Sequence, residues 1–292
     1  MAMNGPGKES LRASKLSSVY FPLLLGCLLP LGGCSWMVRI SQNMHLRGYD
    51  VDINNATRAI ETAHNDAERA KGYSKRGSAY SEKARYSRAF KLIPPDEYER
   101  LFALAMKDHN QATALNPGSA EAYFSRGQAY YDHASLDLTE HKDFKPWFDH
   151  AAADFETASA KDPKNFMAFD MLGLTYEQNN EWDNALDAYT RELALNPKLG
   201  TDRLAEAYCG RGQQDQTRMN MSAAARDYEK SIELGSKSDD GCSCEPYNSL
   251  LVIYTDTKQY DKAWNLVHQE QKSNRLAPEL VDQLKRASGR SD

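Results

Sequence analysis

Apolar side chains recur with a helical period between Asn165 and Pro197. In the first half, Phe169, Leu172, Gly173 and Tyr176 lie on one helical face. The polar run NNEW interrupts the period, and a second face follows, formed by Ala185, Leu186, Tyr189 and Leu193. Pro197 is expected to end that second helix, because proline has no backbone N–H and its ring clashes with the preceding turn. Gly173 lowers helix propensity, which favours a close contact with a neighbouring helix at that point. The stretch therefore predicts a hairpin of two helices.

This hairpin pattern occurs five times in phase along the chain. The position of Gly173 is taken elsewhere by Gly77, Gly127, Gly212 and Leu251, at intervals of 50, 46, 39 and 39 residues. The surrounding residues also repeat, as in Tyr73-Arg76-Gly77-Tyr80, Tyr123-Arg126-Gly127-Tyr130 and Tyr208-Arg211-Gly212. The second helices depart from the pattern at His109, which takes an aromatic position, and at Glu192, which takes a small-residue position. The tyrosine and alanine stripes are interpreted as core between helices.

The repeated hairpin resembles the tetratricopeptide repeat (TPR), whose unit is 34 residues long. The resemblance covers about residues 70–275 and implies an all-α fold, a right-handed α–α superhelix of about five helical hairpins with capping helices. The expected solenoid is 55–288, with repeats at about 70–119, 120–165, 166–199, 200–238 and 244–275 and a C-terminal cap at 277–288.

Intervals longer than 34 residues predict insertions. In repeat one, the first helix should continue past Tyr86, break at Pro94-Pro95 and give way to a second helix near Asp96. In repeat two, Trp147-Phe148 should fold back onto the hairpin. In repeat four, the extra residues should lengthen the first helix, which would begin from a cap at Thr201-Asp202.

The N-terminus carries the pattern of an export signal. Three basic residues, Lys8, Arg12 and Lys15, precede an apolar run of 14 residues from Tyr20 that is too short to span a bilayer comfortably. The sequence Leu31-Gly32-Gly33-Cys34 resembles the lipobox of bacterial lipoproteins. That resemblance implies a signal peptide at 1–33, lipidation of Cys34 with a palmitate-type chain, and an anchor and tether at 34–54.

Other interpretations of the N-terminus remain open at this stage. The segment could be an ordinary secretory signal or an uncleaved anchor, and Leu24-Leu25-Gly26-Cys27 also fits the lipobox loosely. Ser35 follows the cysteine where inner-membrane lipoproteins usually carry aspartate. We therefore expect attachment to the outer membrane, facing the periplasm.

Composition suits a soluble repeat protein, with 26% charged and 41% hydrophobic residues and a mean hydropathy of -0.71. The formal net charge is -5, and removal of 1–33 makes it -7. Because a negative surface repels phosphate backbones, no nucleic-acid partner is expected.

Three cysteines follow Cys34 in the chain. In an oxidising compartment, Cys209 is expected to form a disulfide with Cys242 or Cys244, because adjacent first helices of TPR hairpins pack side by side. The pair Cys242–Cys244 would be strained by its spacing of one residue. The two cysteines are also too few for a zinc site.

The resemblance implies a binding groove on the concave face formed by the first helices. Inward positions counted from the repeat glycine form the predicted groove: Phe124, Gln128, Tyr131, Asp132, Asp170, Leu174, Glu177, Gln178 and Gln213. The groove is rich in acids and amides, so we expect a protein or peptide partner, bound as a peptide or helix with basic and apolar side chains. The alternative is that the chain's own tail or insertions fill the groove.

No common catalytic motif is present, and neither a cofactor nor a small-molecule substrate is expected. The candidate metal cluster is Asp132-His133, Glu140-His141 and Asp149-His150; a solvated insertion with no metal is the favoured interpretation. The expected function is that of a membrane-anchored binding scaffold of the bacterial cell envelope, without enzymatic activity. The alternatives are a metal-dependent enzyme and a structural subunit of a pilus or secretion apparatus.

Overall fold

The structure, a computed structural model, describes residues 33–140, 143–235, 244–270 and 275–290, with side chains described from residue 41 onward. The chain divides into two compact units, Met1–Gly48 and Tyr49–Asp292. The predicted signal peptide lies outside the described residues except for Gly33, and so does the side chain of Cys34.

The described residues form α-helices and no strand. The helices are α1 Gly33–Glu61, α2 Asp66–Ala89, α3 Pro95–Leu115, α4 Ala120–Thr139, α5 Lys145–Lys161, α6 Phe166–Gln178, α7 Trp182–Leu195, α8 Pro197–Thr217, α9 Met221–Glu233, α10 Pro246–Asp256, α11 Tyr260–Glu270 and α12 Pro278–Ser288. Within the described part of the chain, no helix is both long and apolar enough to cross a membrane.

Five consecutive helix pairs pack as hairpins: α2 with α3, α4 with α5, α6 with α7, α8 with α9, and α10 with α11. Each second helix except the last also packs against the first helix of the next hairpin. The predicted all-α repeat architecture is therefore confirmed.

The repeat glycines lie where a second helix crosses closest to the first. A Cβ atom built on Gly173 would lie 2.3 Å from the ring of Tyr189, a distance no real carbon contact allows. At Gly127 the nearest ring is Phe155, and at Gly212 it is Tyr228. An aromatic ring thus occupies the volume that the missing Cβ leaves. This contact explains why glycine and the aromatic residue recur together in the sequence.

The first two insertions extend helices and pack on the hairpins. Helix α2 runs through Tyr86 to Ala89, and Pro94 precedes α3, which starts at Pro95. Phe148 is fully buried, and the ring of Trp147 meets that of Phe102 edge-on with centroids 5.8 Å apart.

Two expectations from the sequence are corrected. Helix α8 begins at Pro197, not at Thr201-Asp202, because Asn196 ends α7 and caps α8 with its side chain on the amide of Leu199. Proline suits the first helical position, where its missing N–H is not needed.

The segment predicted as an irregular tether, 34–54, is helical and belongs to α1. Its apolar period is weak, so the sequence pattern alone did not indicate a helix. In the second unit, Tyr49 packs against Tyr86 with centroids 5.9 Å apart, and Asp50 pairs with Lys83 at 2.6 Å. These contacts with α2 hold the C-terminal half of the helix.

Helix α12 occupies the predicted C-terminal cap. Leu284 is fully buried against the last hairpin, while Glu279, Asp282 and Lys285 are exposed. A final helix with one apolar and one polar face closes the core of a repeat array.

Candidate protein-binding groove

Four of the predicted groove residues lie together on the first helices. Tyr131 of α4 is near enough to Asp132 and to Glu177 of α6 for both charges to raise its pKa, after the larger effect of burial. Asp170 lies two turns before Glu177 on the same face of α6, and its charge also raises the pKa of Glu177. The structure thus brings Tyr131, Asp132, Asp170 and Glu177 to one surface, and the name groove cluster is used for these four residues below.

Two arginines that the sequence analysis did not select complete this surface. Arg203 of α8 donates to Asp170 over 2.8 Å and lies 3.5 Å from Glu206. Arg85 of α2 lies 3.5 Å from Asp132. The surface is therefore a mixed network in which carboxylates outnumber guanidinium groups, rather than a purely acidic and amide-rich groove.

Burial raises the pKa of two carboxyl groups of the groove cluster toward neutral pH. It raises the pKa of Asp132 to about 6, with Arg85 opposing and Glu82 adding to the shift. It raises the pKa of Glu177 to about 7, against the opposing charge of Arg203. Desolvation penalises the charged form of each acid, whereas a cation placed beside them would favour that charged form and lower both pKa values.

The remaining predicted groove residues on α4 and α6 differ from one another in how far they are buried. Phe124 is half-buried with its ring 5.6 Å from that of Phe155. Leu174 and Gln178 are half-buried, and Gln128 is exposed.

Gln213 is placed away from the groove cluster by the register of α8. Counting from Gly212 puts Cys209 opposite Asp170, yet the residue that pairs with Asp170 is Arg203. Gln213 is ten residues further along, which corresponds to about 15 Å of helix.

Gly210 packs on Trp182 at the start of α7, so α8 is displaced along its axis by about two turns. The early start at Pro197 is the sequence signal that could have revealed the shift.

Among the described residues, the C-terminal segment contacts the inward face at the last hairpin. The backbone N–H of Ala277 donates to Asn248 over 2.9 Å, and Arg275 donates to the hydroxyl of Tyr247 over 2.9 Å. Asn248 is the inward position of α10 that corresponds to Asp170 on α6.

The histidines of the second insertion do not form a metal site in the described residues, where no group of three possible ligands converges. His141 lies outside those residues. His133 is buried, not solvated as expected: its ring stacks on Phe102 at 4.0 Å and its Nδ1 is 3.0 Å from the hydroxyl of Tyr98. Tyr98 and Phe102 of α3, together with Trp147 of the insertion, surround the ring of this histidine.

Cys209 is joined to Cys244 by a disulfide, with Cα atoms 6.1 Å apart. That separation is ordinary for a disulfide. Both residues are buried in the core of the last two hairpins. Cys242, the alternative partner, lies outside the described residues.

The arginine before three of the repeat glycines holds neighbouring hairpins together. Arg126 makes a bidentate pair with the buried Asp154 of its own hairpin, at 2.8 Å for both bonds, and its third nitrogen donates to Asn110 of the preceding hairpin over 2.9 Å. The same bidentate pair joins Arg76 with Asp108 and Arg211 with Asp227. These acids recur one residue before the aromatic position, which is the pattern that predicts the pairs.

These repeated contacts identify the architecture. The fold is that of a TPR solenoid. Four of the five hairpins carry the glycine–ring contact, and three of the five carry the arginine–aspartate pair.

Solved structures with a similar fold include MamA (18% identity, 66% of this chain and 95% of that chain, TM-score 0.39). They also include YrrB, described as a TPR protein with an unusual peptide-binding site (17%, 73% and 87%, TM-score 0.38). A third is the human IFIT1 dimer with m7Gppp-AAAA (16%, 76% and 51%, TM-score 0.43). No protein-family model and no curated protein matches the sequence. Similarity at this level carries no argument about function.

Proposed function

We propose that this protein is a non-enzymatic scaffold whose groove cluster binds a protein segment with basic and apolar side chains. The observation that carries the proposal is the pair of desolvated carboxyl groups, Asp132 and Glu177, both of which lie near Tyr131. A lysine or arginine beside them would stabilise their charged forms, and an apolar side chain would pack on the tyrosine ring. Nucleic acid is not a proposed partner, because the net charge of -5 opposes it.

We further propose that Cys34 carries a lipid that holds the scaffold on the periplasmic side of the bacterial outer membrane. The support is the Leu31-Gly32-Gly33-Cys34 sequence and the serine that follows it. An anchored scaffold would concentrate its partner at the envelope, and two or more acyl chains would make the anchoring durable.

The groove is tested with a fluorescein-labelled amphipathic helix of lysine and leucine, titrated with the full-length chain and followed by anisotropy. Glu177→Gln and Asp132→Asn should each weaken binding by about tenfold, because each removes a charge-assisted contact worth about 1.4 kcal/mol. The control is Glu233→Gln, which removes an equal charge from an exposed carboxylate on α9.

The pH dependence has a definite direction. Lowering the pH from 8 to 5.5 should weaken the binding of the lysine helix, because the raised pKa values of Asp132 and Glu177, about 6 and about 7, leave both acids largely neutral at pH 5.5.

In the comparison of variants, equal loss of binding in Glu233→Gln, or binding unchanged in both groove variants, would show that the site lies elsewhere.

A further inference from the structure

A surface slot between α5 and α7 carries a second inference. It has a volume of about 450 Å³ and is lined by residues of α5, α6 and α7, among them Glu156, Ser159, Phe169, Leu172, Asp187 and Ala188. None of these residues belongs to the groove cluster, so the slot is a separate site on the molecule.

The slot is the place where other hairpins hold an arginine. In repeat two, Arg126 reaches Asn110 and Thr113, which lie five and two residues before the end of α3. Glu156 and Ser159 lie five and two residues before the end of α5. Helix α5 of repeat two therefore presents the same receiving positions to α6 of repeat three as α3 presents to α4.

Repeat three lacks the arginine and its acid. Leu172 stands where Arg126 stands in repeat two, and Ala188 stands where Asp154 stands. Two short apolar side chains replace a bidentate pair, and the volume that a guanidinium group fills in the other repeats remains as a cavity.

The lining retains what an arginine side chain needs. Glu156 of α5 is exposed and supplies a carboxylate where α3 has the neutral Asn110; it also accepts a hydrogen bond from the hydroxyl of Tyr176. Asp187 supplies a second carboxylate and is paired with Arg191 at 3.0 Å, which leaves one net negative charge. The ring of Phe169 takes the place of Tyr123, which lies 5.5 Å from the guanidinium carbon of Arg126. In the slot this ring is already faced by Arg191, a lining residue whose guanidinium carbon lies 6.0 Å from the ring centroid.

We propose that this slot binds an arginine side chain of a partner protein, in the manner of the chain's own Arg126. The aliphatic stem would lie on Leu172 and Ala188, and the guanidinium group would bind the carboxylate of Glu156. Arginine is favoured over lysine because its planar fork is the group that the same position holds in three other repeats.

The probe is N-acetyl-arginine-methylamide, titrated into the full-length, isotope-labelled chain while the amide signals of Ser159, Leu172 and Ala188 are followed by NMR. Saturable shifts at these three amides are expected. The neutral isostere N-acetyl-citrulline-methylamide and the variant Glu156→Gln should each weaken binding by about tenfold. Each removes one charge from the hydrogen bond between the guanidinium group and the carboxylate of Glu156.

The double substitution Leu172→Arg/Ala188→Asp rebuilds the internal pair and should abolish the shifts while the thermal midpoint is kept. Glu156→Gln, a conservative change at an exposed position, provides the same test if the double variant does not fold. Glu177→Gln in the groove cluster should leave the arginine titration unchanged, which separates this site from the groove. The proposal is overturned if citrulline or N-acetyl-leucine-methylamide binds as well as arginine, or if the wild-type chain shows no shifts.

Discussion

Glu192 is a fully buried carboxylic acid at a position that other repeats fill with a small residue. Neither carboxylate oxygen has a hydrogen-bond partner among the described residues. Burial raises its pKa to about 7, with Asp170 adding to the shift and Arg203 opposing it. Its ionisation therefore works against folding.

The sign of this effect gives a residue-scale prediction. Well below pH 4.5 the acid is protonated in both the folded and the unfolded state, so its titration does not change the free energy of unfolding. As the pH rises from about 4.5 to about 7, only the unfolded chain loses the proton, so the folded state loses about 3 kcal/mol. Glu192→Gln should remove this loss and raise the free energy of unfolding relative to wild type more at pH 8 than at pH 5.

Urea unfolding at the two pH values measures the change, with the exposed Glu233→Gln as the control. An equal difference between Glu192→Gln and wild type at both pH values would mean that the acid does not titrate in this range.

At the scale of helices, the arginine–aspartate pair is the contact that joins a first helix to the two second helices beside it. Asp154 is buried, so removing Arg126 alone leaves a desolvated charge without a counterion. Repeat three shows that the chain also accepts Leu172 and Ala188 at the corresponding positions. The pair and the apolar alternative are thus two solutions at one helix crossing.

The natural alternative supplies a double-mutant cycle. Arg126→Leu and Asp154→Ala should each lower the free energy of unfolding by about 3 kcal/mol, because breaking a buried pair leaves one charge uncompensated. The double variant copies repeat three and should be more stable than the sum of the two losses predicts, by about 2 kcal/mol. Additive losses in urea unfolding would show that the pair is not coupled.

At the scale of the whole molecule, α8 of the fourth hairpin is shifted along its axis relative to the third hairpin. The disulfide between Cys209 and Cys244 is formed from this shifted helix. Cys209 lies at an inward position by its distance from Gly212, but the buried contact with Cys244 takes it out of the groove. Arg203 and Glu206 take over the inward surface of α8 beside α6. The composition of the groove therefore depends on how far one helix slides past another.

Anchoring of the molecule at the envelope is tested through its N-terminus. Growth of an expressing bacterium with labelled palmitate should label the wild-type protein, and Cys34→Ser should lose the label because the acylated thiol is gone. Cys27→Ser should keep it. Labelling that persists in Cys34→Ser would contradict the proposed anchor.

Local patterns in the sequence determined the hairpins, because these depend on the helical period, a proline or cap at the helix ends and, in four of the five, a glycine at the crossing. The break at Pro94-Pro95, the burial of Phe148 and the polar face of α12 follow from the same local rules. The clustering of Tyr131, Asp132, Asp170 and Glu177 also followed from the repeat phase, because α4 and α6 keep that phase.

Only the tertiary structure decided the features that depend on how helices distant in the sequence meet. The axial position of α8 replaced Gln213 by Arg203 at the groove, and packing of the second insertion buried His133 among aromatic rings. The slot beside Leu172 is likewise visible only when the helices of repeats two and three are side by side. A sequence period specifies which face of a helix is buried, but the translation of one helix along another is set by the summed contacts of both.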